Sequence, residues 1–458
     1  MGVAFTPTRC KIEIDLDQLL RDAIRVLIRN WHGHATVPSR SLYPHQWSWD
    51  SAFIAMGLQH FAPQRAAAEL LSLFGAQWAD GRIPHIAFNP AVADHAYFPG
   101  PTFWRSAEVD GRPPIDTSGI IQPPVHAIAA AMVMRGLGES GPAFARRCYP
   151  YLVAQNDYLR RRRSVGTGGL AAAVHPWETG LDNSPAWDAP LHAVHADLAL
   201  FDTYTRRDLA HAGAGERPTD EDYARYIRLA LAYRHSGYDD DWVRREAEFL
   251  VVDPGFNALW AWSELALADI AGSIGGDAGL HVAEAVRITA AIADELWSND
   301  RGLFLAKDER AGRLLPERTV AGLIPLVLPG LPDSMVATLR ATLAGESFRG
   351  GRHRVRGVPS FDLTDPRYDA RRYWRGPTWL NTTWLVSEGL RRHGEGAFAE
   401  RLSDDIVELV AHAGLREYFN PKTGAGHGTS SFSWSAALLI HVLAERLSRV
   451  SRNPALSR

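Results

Sequence analysis

An all-α fold, closed as an (α/α)6 barrel of helical hairpins, is what this sequence predicts. Three observations point to it: helical periodicity recurs from end to end, short and long connections alternate, and no low-complexity linker divides the chain. No fixed-period repeat is visible, which disfavours an open solenoid. The 458 residues are read as one catalytic domain with inserted loops.

The first element is the clearest. Leu16, Leu19, Leu20, Ala23, Val26, Leu27 and Trp31 recur at spacings of three and four behind a capping Asp15, giving one apolar face. Helices are then expected over 50–60, over 63–78 with Pro63 in the first turn, over 124–137 and over 142–162. Further helices are expected over 220–235, 241–250, 256–274, 281–297, 320–328, 333–343, 377–392, 397–412 and 432–447. Strand signals are few. Segments 302–305 and 313–315, around the turn 309–312, predict one short hairpin.

Composition narrows the function. A formal net charge of -3, with no run of Lys and Arg, lacks the basic footprint that nucleic acid requires. The start of the chain lacks a signal-peptide pattern and no apolar stretch is long enough to span a bilayer, so a soluble, cytoplasmic protein with no membrane partner is expected. Cys10 and Cys148 are too few for a disulfide scaffold or a Cys-based zinc site. The scattered His45, His85, His175 and His427 lack metal-site spacing, and the His192/His195 pair reads as polar surface, so no metal and no cofactor are expected. A homo-oligomer is compatible with this composition.

Fifteen Trp residues stand out, many in Gly/Pro-rich connections where a core does not need them. An indole offers a sugar ring a flat apolar face and a polar edge, although packing is its default use. The long connections 35–49, 81–122, 172–190, 349–376 and 415–431 concentrate Trp, Tyr, His, Pro and Gly. Loops of that length within a compact domain are more often functional than idle. If they open on one end of a barrel, they build a pocket.

Within 43–50, Trp47, Trp49 and Asp50 precede an apolar helix; Asp50 reads equally as a helix cap or as an acceptor for sugar hydroxyls. Gln122, ahead of Pro123 and Pro124, reads as a cap or a ligand contact, with contact favoured. The segment 177–185 holds Glu178 and Asp182, and Asp188 follows Trp187; all three compete for an acid role. An Asx-turn explains an Asp in such a segment but not the flanking Trp177 and Trp187. A general acid needs a raised pKa, which aromatic walls that exclude water would supply. More than two hundred residues on, Glu417 stands before Tyr418 and Phe419 in a turn-rich segment. Two separated carboxylates framed by aromatics suggest acid–base chemistry on a sugar. Thr219 and Asp222 form a capping box that accounts for the acidic run there but not for Arg217, whose fork can hold a carboxylate. Asp239, Asp240 and Asp241 read as a helix cap.

Taken together, the segments 43–50, 177–188, 373–379, 417–428 and 432–436 resemble the clan of inverting (α/α)6 glycosidases that includes glycoside hydrolase family 63 and the trehalases. Within it the likeness is greatest to the hydrolases of glucosylglycerate and mannosylglycerate, over nearly the whole chain. The resemblance implies Asp182 as general acid and Glu417 as general base. It further implies that Tyr43, Trp47, Trp49, Asp50, Gln122, Tyr373, Trp374 and Trp379 line the site, and that Arg217 and Tyr223 grip a glycerate carboxylate. The implied reaction is inverting hydrolysis of a small-molecule glycoside, glucosylglycerate first and mannosylglycerate beside it. One departure concerns Gly428, Thr429, Ser430 and Ser431, which offer only small hydroxyls where a longer polar side chain would hold a sugar more firmly. A trehalase-like α-glucosidase, a sugar epimerase and a non-catalytic carbohydrate-binding toroid are the rival readings.

Overall fold

The computed structural model describes residues 14–210, 214–351 and 354–452; Cys10 lies outside them. It is mostly helical. The Leu16–Arg29 helix starts where expected, with the Asp15 carboxyl accepting the Gln18 amide at 2.8 Å, but it ends before Trp31. It buries only Ala23, Val26 and Leu27, as an outer helix with one apolar stripe should. Every residue of the Ser48–Leu58 helix is buried, and Pro254–Ile274 is buried along most of its length. Helices apolar all round belong inside.

The inner elements follow one another in space. Ser48–Leu58 packs on His126–Gly136, which packs on Pro254–Ile274, then Val320–Val327, then Leu380–Arg392, then Ser433–Arg452, which returns to Ser48–Leu58. Each carries a second element on its outer side: Pro63–Phe74, Gly141–Tyr158, Gly279–Glu295, Asp333–Ala344, Gly396–Ala413 and Leu16–Arg29 respectively. Close approach is enforced at Gly57, where a Cβ would stand 2.4 Å from the Ala437 Cα.

Three expectations need correction. The segment expected as a helix over 320–328 is a 3-10 helix, Val320–Val327, with Pro325 inside it. Proline has no N–H to donate and its ring crowds the preceding turn, so the apolar run is buried without α-helical pairing. The expected hairpin around 309–312 forms with Lys307–Asp308, and not 302–305, as its first strand. Leu303–Phe304 pairs with Trp297–Ser298, and Arg313–Leu314 pairs with Lys307–Asp308. The latter pair is the edge of a five-stranded antiparallel sheet that continues through Val251–Val252, Leu170–Ala173 and Ser164–Val165. These strands are too short for alternation to show, and the pairings of Val251–Val252 with Leu170–Ala173 and with Lys307–Asp308 join segments distant in sequence. The helix expected over 241–250 is only Asp240–Glu246; Asp239 caps it by accepting the Asp241 amide at 2.8 Å.

Short backbone pairings tie the long loops together. Gln46–Trp47 pairs with Ile86–Ala87, and Ala87 bridges to Thr117. Thr378 and Phe419 exchange both backbone hydrogen bonds, at 2.8 and 2.9 Å, which sets the 373–379 segment beside the strand that carries Glu417. The Asn183 carboxamide oxygen accepts the Trp374 amide at 2.9 Å, joining the Asp182 loop to the same segment. Among the described residues no helix is long and apolar enough to cross a membrane.

Candidate active site

Glu417 lies in the Arg416–Phe419 strand, which pairs with Gly426–Ser430 through an irregular register between Arg416 and Tyr418. A bulge at that point re-aims the side chain between two regular neighbours. The carboxylate is buried. Its Oε2 accepts the Thr429 amide at 3.0 Å, and its Oε1 accepts the Tyr43 hydroxyl at 2.8 Å. Gly428, at φ +64°, has to be glycine, because a Cβ there would stand 2.3 Å from the Glu417 Oε2. The small residues at 428–431 thus serve the site by backbone and by lack of bulk. The Thr429 hydroxyl meets Ser39 and Ser41 at 2.9 and 3.0 Å.

Asp182 follows the 3-10 turn Pro176–Thr179, whose start is held by the His175 ring accepting the Trp177 amide at 3.0 Å. Gly180 turns the chain at φ +72°, and its missing Cβ makes room for the Trp49 indole, which a side chain would meet at 2.5 Å. The turn is closed by backbone, the Ser184 amide donating to the Leu181 carbonyl at 2.9 Å, and the Asp182 carbonyl accepts the Tyr226 hydroxyl at 3.0 Å. The carboxyl lines the cavity, walled in except toward its opening. Burial pushes its pKa up to about 7, Arg217 opposes that, and the Glu417 charge adds to it.

The other acid candidates are committed elsewhere. Glu178 is wholly buried and takes Arg163 bidentately at 2.7 Å on both oxygens, which also accept the amides of Ile121 and Val174. Asp188 takes Arg375 in the same way, at 2.7 Å on each oxygen.

Asp182 and Glu417 border one cavity of about 850 Å³, its mouth included. Tyr43, Trp47, Trp49, Asp50, Gln122, Arg217, Tyr223, Tyr373, Trp374 and Trp379 line it as well, so the sequence-derived site residues converge. Their environments refine the expectations. Asp50 does not cap its helix; it sits in the first turn, and burial with the Glu417 charge nearby holds its carboxyl well above the usual range. Gln122 does the capping, its Oε1 accepting the Trp49 amide at 3.1 Å while the residue also faces the cavity. The indoles are cavity wall and core at once: Trp374 and Trp379 stack at 3.9 Å and 7°, and Trp49 meets Trp434 edge-on at 5.3 Å. Tyr223 supports the cation of Arg206 at 4.3 Å. The expected capping box beside it is half formed: Thr219 accepts the Asp222 amide at 3.1 Å, while the Asp222 carboxylate goes to Arg225 at 3.2 Å.

Arg217 reaches in from the loop before that helix. Its Nη2 is 3.3 Å from the Glu417 Oε2, its Nη1 donates to the Tyr43 hydroxyl at 3.1 Å, and its guanidinium lies 4.5 Å from the Tyr373 ring centre. His85, Tyr97, Phe98, Trp177, Asp208 and Trp434 also line the cavity and were not singled out as site residues. The 81–122 connection was marked by its length and its aromatic content as a whole; nothing local separates Tyr97 and Phe98 from its other aromatics. Burial lowers His85 to about 3, so its ring is neutral at physiological pH. Among the described residues no cluster of His, Cys, Asp and Glu could hold a metal ion.

The chain is similar to known proteins over most of its length. Residues 43–435 match the model of the mannosylglycerate hydrolase MGH1-like glycoside hydrolase domain. A mannosylglycerate hydrolase of Rubrobacter radiotolerans is 39% identical over 434 residues, covering 94% of this chain and 98% of its own. A glucosylglycerate hydrolase of Mycolicibacterium hassiacum is 34% identical over 456 residues, covering 95% and 98%. The crystal structure of the family 63 mannosylglycerate hydrolase from Thermus thermophilus, in complex with Tris and D-glycerate, matches with a TM-score of 0.84 at 40% identity, over 92% of this chain and 99% of that one. The chain therefore belongs to the mannosylglycerate hydrolase MGH1-like family and is a glycoside hydrolase.

Proposed function

We propose that this enzyme hydrolyses a 2-O-α-glycosyl-D-glycerate to free sugar and D-glycerate with inversion of the anomeric centre. The observation that carries the proposal is the charge pattern of the cavity wall. Asp50, Asp182, Asp208 and Glu417 face it, and among its lining residues Arg217 is the one Lys or Arg side chain. An anionic aglycone has one place to go.

In this reading Asp182 gives its proton to the glycosidic oxygen as the C–O bond breaks. Glu417 takes a proton from the water whose oxygen attacks the anomeric carbon from the opposite face. The proton gained by Glu417 returns to Asp182 through solvent after the products leave. Trp47, Trp49, Asp50 and Gln122 serve the sugar, Arg217 and Tyr223 the glycerate, and Tyr43, Tyr373, Trp374 and Trp379 shape the wall between them. Mannosylglycerate is placed ahead of glucosylglycerate, reversing the order taken from sequence, because the relatives named for the mannoside are the more similar. The succession of inner and outer elements supports reading the scaffold as a single (α/α)6 barrel. The test is to offer each glycoside separately, with chelator present and no metal added, and to measure sugar and glycerate. Stoichiometric release from at least one is expected, and release from neither contradicts the proposal.

A further inference from the structure

Arg217 and Glu417 are locked onto one another. The Arg217 Nη2 meets Oε2 at 3.3 Å; the Tyr43 hydroxyl, which accepts Nη1 at 3.1 Å, donates to Oε1 at 2.8 Å; and the Thr429 amide reaches Oε2 at 3.0 Å. Both oxygens of the carboxylate are thus engaged by donors, and its charge is matched by an adjacent guanidinium. Each of these contacts strengthens with negative charge on the carboxylate. A carboxylate so held has its lone pairs turned to protein donors and not to a water.

The guanidinium has one unspent corner: its Nε is buried with no hydrogen-bond partner. Nε and Nη2 together form the side-on edge that takes a carboxylate bidentately. Nη2 is the nitrogen on Glu417, whereas Nη1 is the one on Tyr43. A substrate carboxylate that docks on Arg217 contests Nη2 with Glu417. The Tyr43 contact and the Tyr373 ring, 4.5 Å from the guanidinium carbon, keep the cation in place while this happens.

We infer that the aglycone carboxylate and Glu417 compete for the Nη2 corner of Arg217, so that binding an anionic aglycone releases Glu417 to act as the base. The inference rests on the reading of Arg217 as the glycerate receptor and adds a coupling to it. Specificity then lies in turnover as well as binding. A neutral glycoside can occupy the cavity and still meet a clamped base, while a glycerate glycoside removes the clamp on arrival.

A substrate split in two parts separates coupling from binding. α-D-Mannosyl fluoride fills the sugar side and carries no aglycone. Its hydrolysis breaks the C–F bond, joins water oxygen to the anomeric carbon and passes a water proton to Glu417. Free D-glycerate is then added, with glycerol as the uncharged control and D-glycerate binding followed by calorimetry. The expected result is a saturable rise in fluoride turnover of about tenfold or more with D-glycerate, a fraction of the ~10²–10⁴-fold that a well-placed general base supplies. Glycerol should give no rise. In Arg217→Ala the fluoride rate should not respond to D-glycerate. Binding of D-glycerate to the wild type without acceleration, or acceleration that survives in Arg217→Ala, overturns the coupling and leaves the glycerate reading standing. Failure of D-glycerate to bind at all overturns both.

Discussion

Arg163 and Glu178 form a bidentate ion pair, 2.7 Å on each oxygen, entirely buried behind the loop that carries Asp182. Glu178 also accepts the amide of Ile121, next to Gln122, at 3.2 Å, and that of Val174 at 2.8 Å. One carboxylate therefore joins the segment that caps the Ser48–Leu58 helix to the segment that presents the acid. Asp240 completes the group, 3.0 Å from the Arg163 Nε and 3.3 Å from the Arg82 Nη2.

Removing one side of this pair should destabilise the fold. Glu178→Ala takes the bidentate acceptor from a buried guanidinium that keeps Asp240 at its Nε, and leaves two amides without theirs; breaking a buried pair costs roughly 3–5 kcal/mol. Denaturant unfolding monitored by Trp fluorescence measures it. A loss below about 1 kcal/mol, the level of a surface pair, would refute the structural role of Glu178.

Asp182→Asn and Glu417→Gln should each lower turnover of the glycerate glycoside by about 10²–10⁴-fold, the usual worth of general acid–base assistance. Both variants should fold. Steady-state rates alongside circular dichroism decide it, and near wild-type turnover would remove that residue from the chemistry.

The raised pKa of Asp182 gives a pH dependence with a definite sign. Its proton is held up to about 7 in the fold, well above the ordinary aspartate range, so kcat/KM should fall as pH rises through about 7. Linkage runs the same way: a carboxyl raised by burial stabilises the fold least where it is ionised, so stability from this group is lost as pH rises toward about 7. Asp182→Asn should therefore melt higher than the wild type at pH 8, with the difference shrinking at pH 5. An unchanged difference would place the ionisation elsewhere.

Arg217→Ala should harm hydrolysis of the glycerate glycoside more than that of the same sugar on glycerol. A lost hydrogen bond to a charged group is worth roughly 1.5–3 kcal/mol, about ten- to over a hundredfold in kcat/KM. The Thr219 cap on the Asp222 amide is left intact by this change. Equal damage to both substrates would assign Arg217 a purely structural role.

Periodicity and capping expose the outer helices well, since an apolar stripe and an Asp15 cap are local signals. The Val320–Val327 run looks helical because hydrophobicity alone does not register the N–H that Pro325 lacks. The small sheet is hidden because its strands are two to four residues long and its two hairpins are joined through Val251–Val252, distant in sequence from both. The site is legible as a set of aromatic, acidic connections, and the family resemblance selects Asp182 from among three acids. What separates them physically is partner choice, Arg163 for Glu178 and Arg375 for Asp188. Those partners lie far enough away in sequence that only folding reveals them. The same holds for the contact of Arg217 with Glu417, and for Gln122 capping a helix that begins at Ser48.

Inverting hydrolysis of a glycerate glycoside, with Asp182 as acid and Glu417 as base, fixes which anomer of the sugar leaves the enzyme. Proton NMR of the reaction mixture during the first turnovers reads that anomer before the released sugar mutarotates. Starting from α-mannosylglycerate, β-mannose should appear first and the α anomer should grow only at the rate of mutarotation. First appearance of α-mannose would rule out the inverting assignment of Asp182 and Glu417.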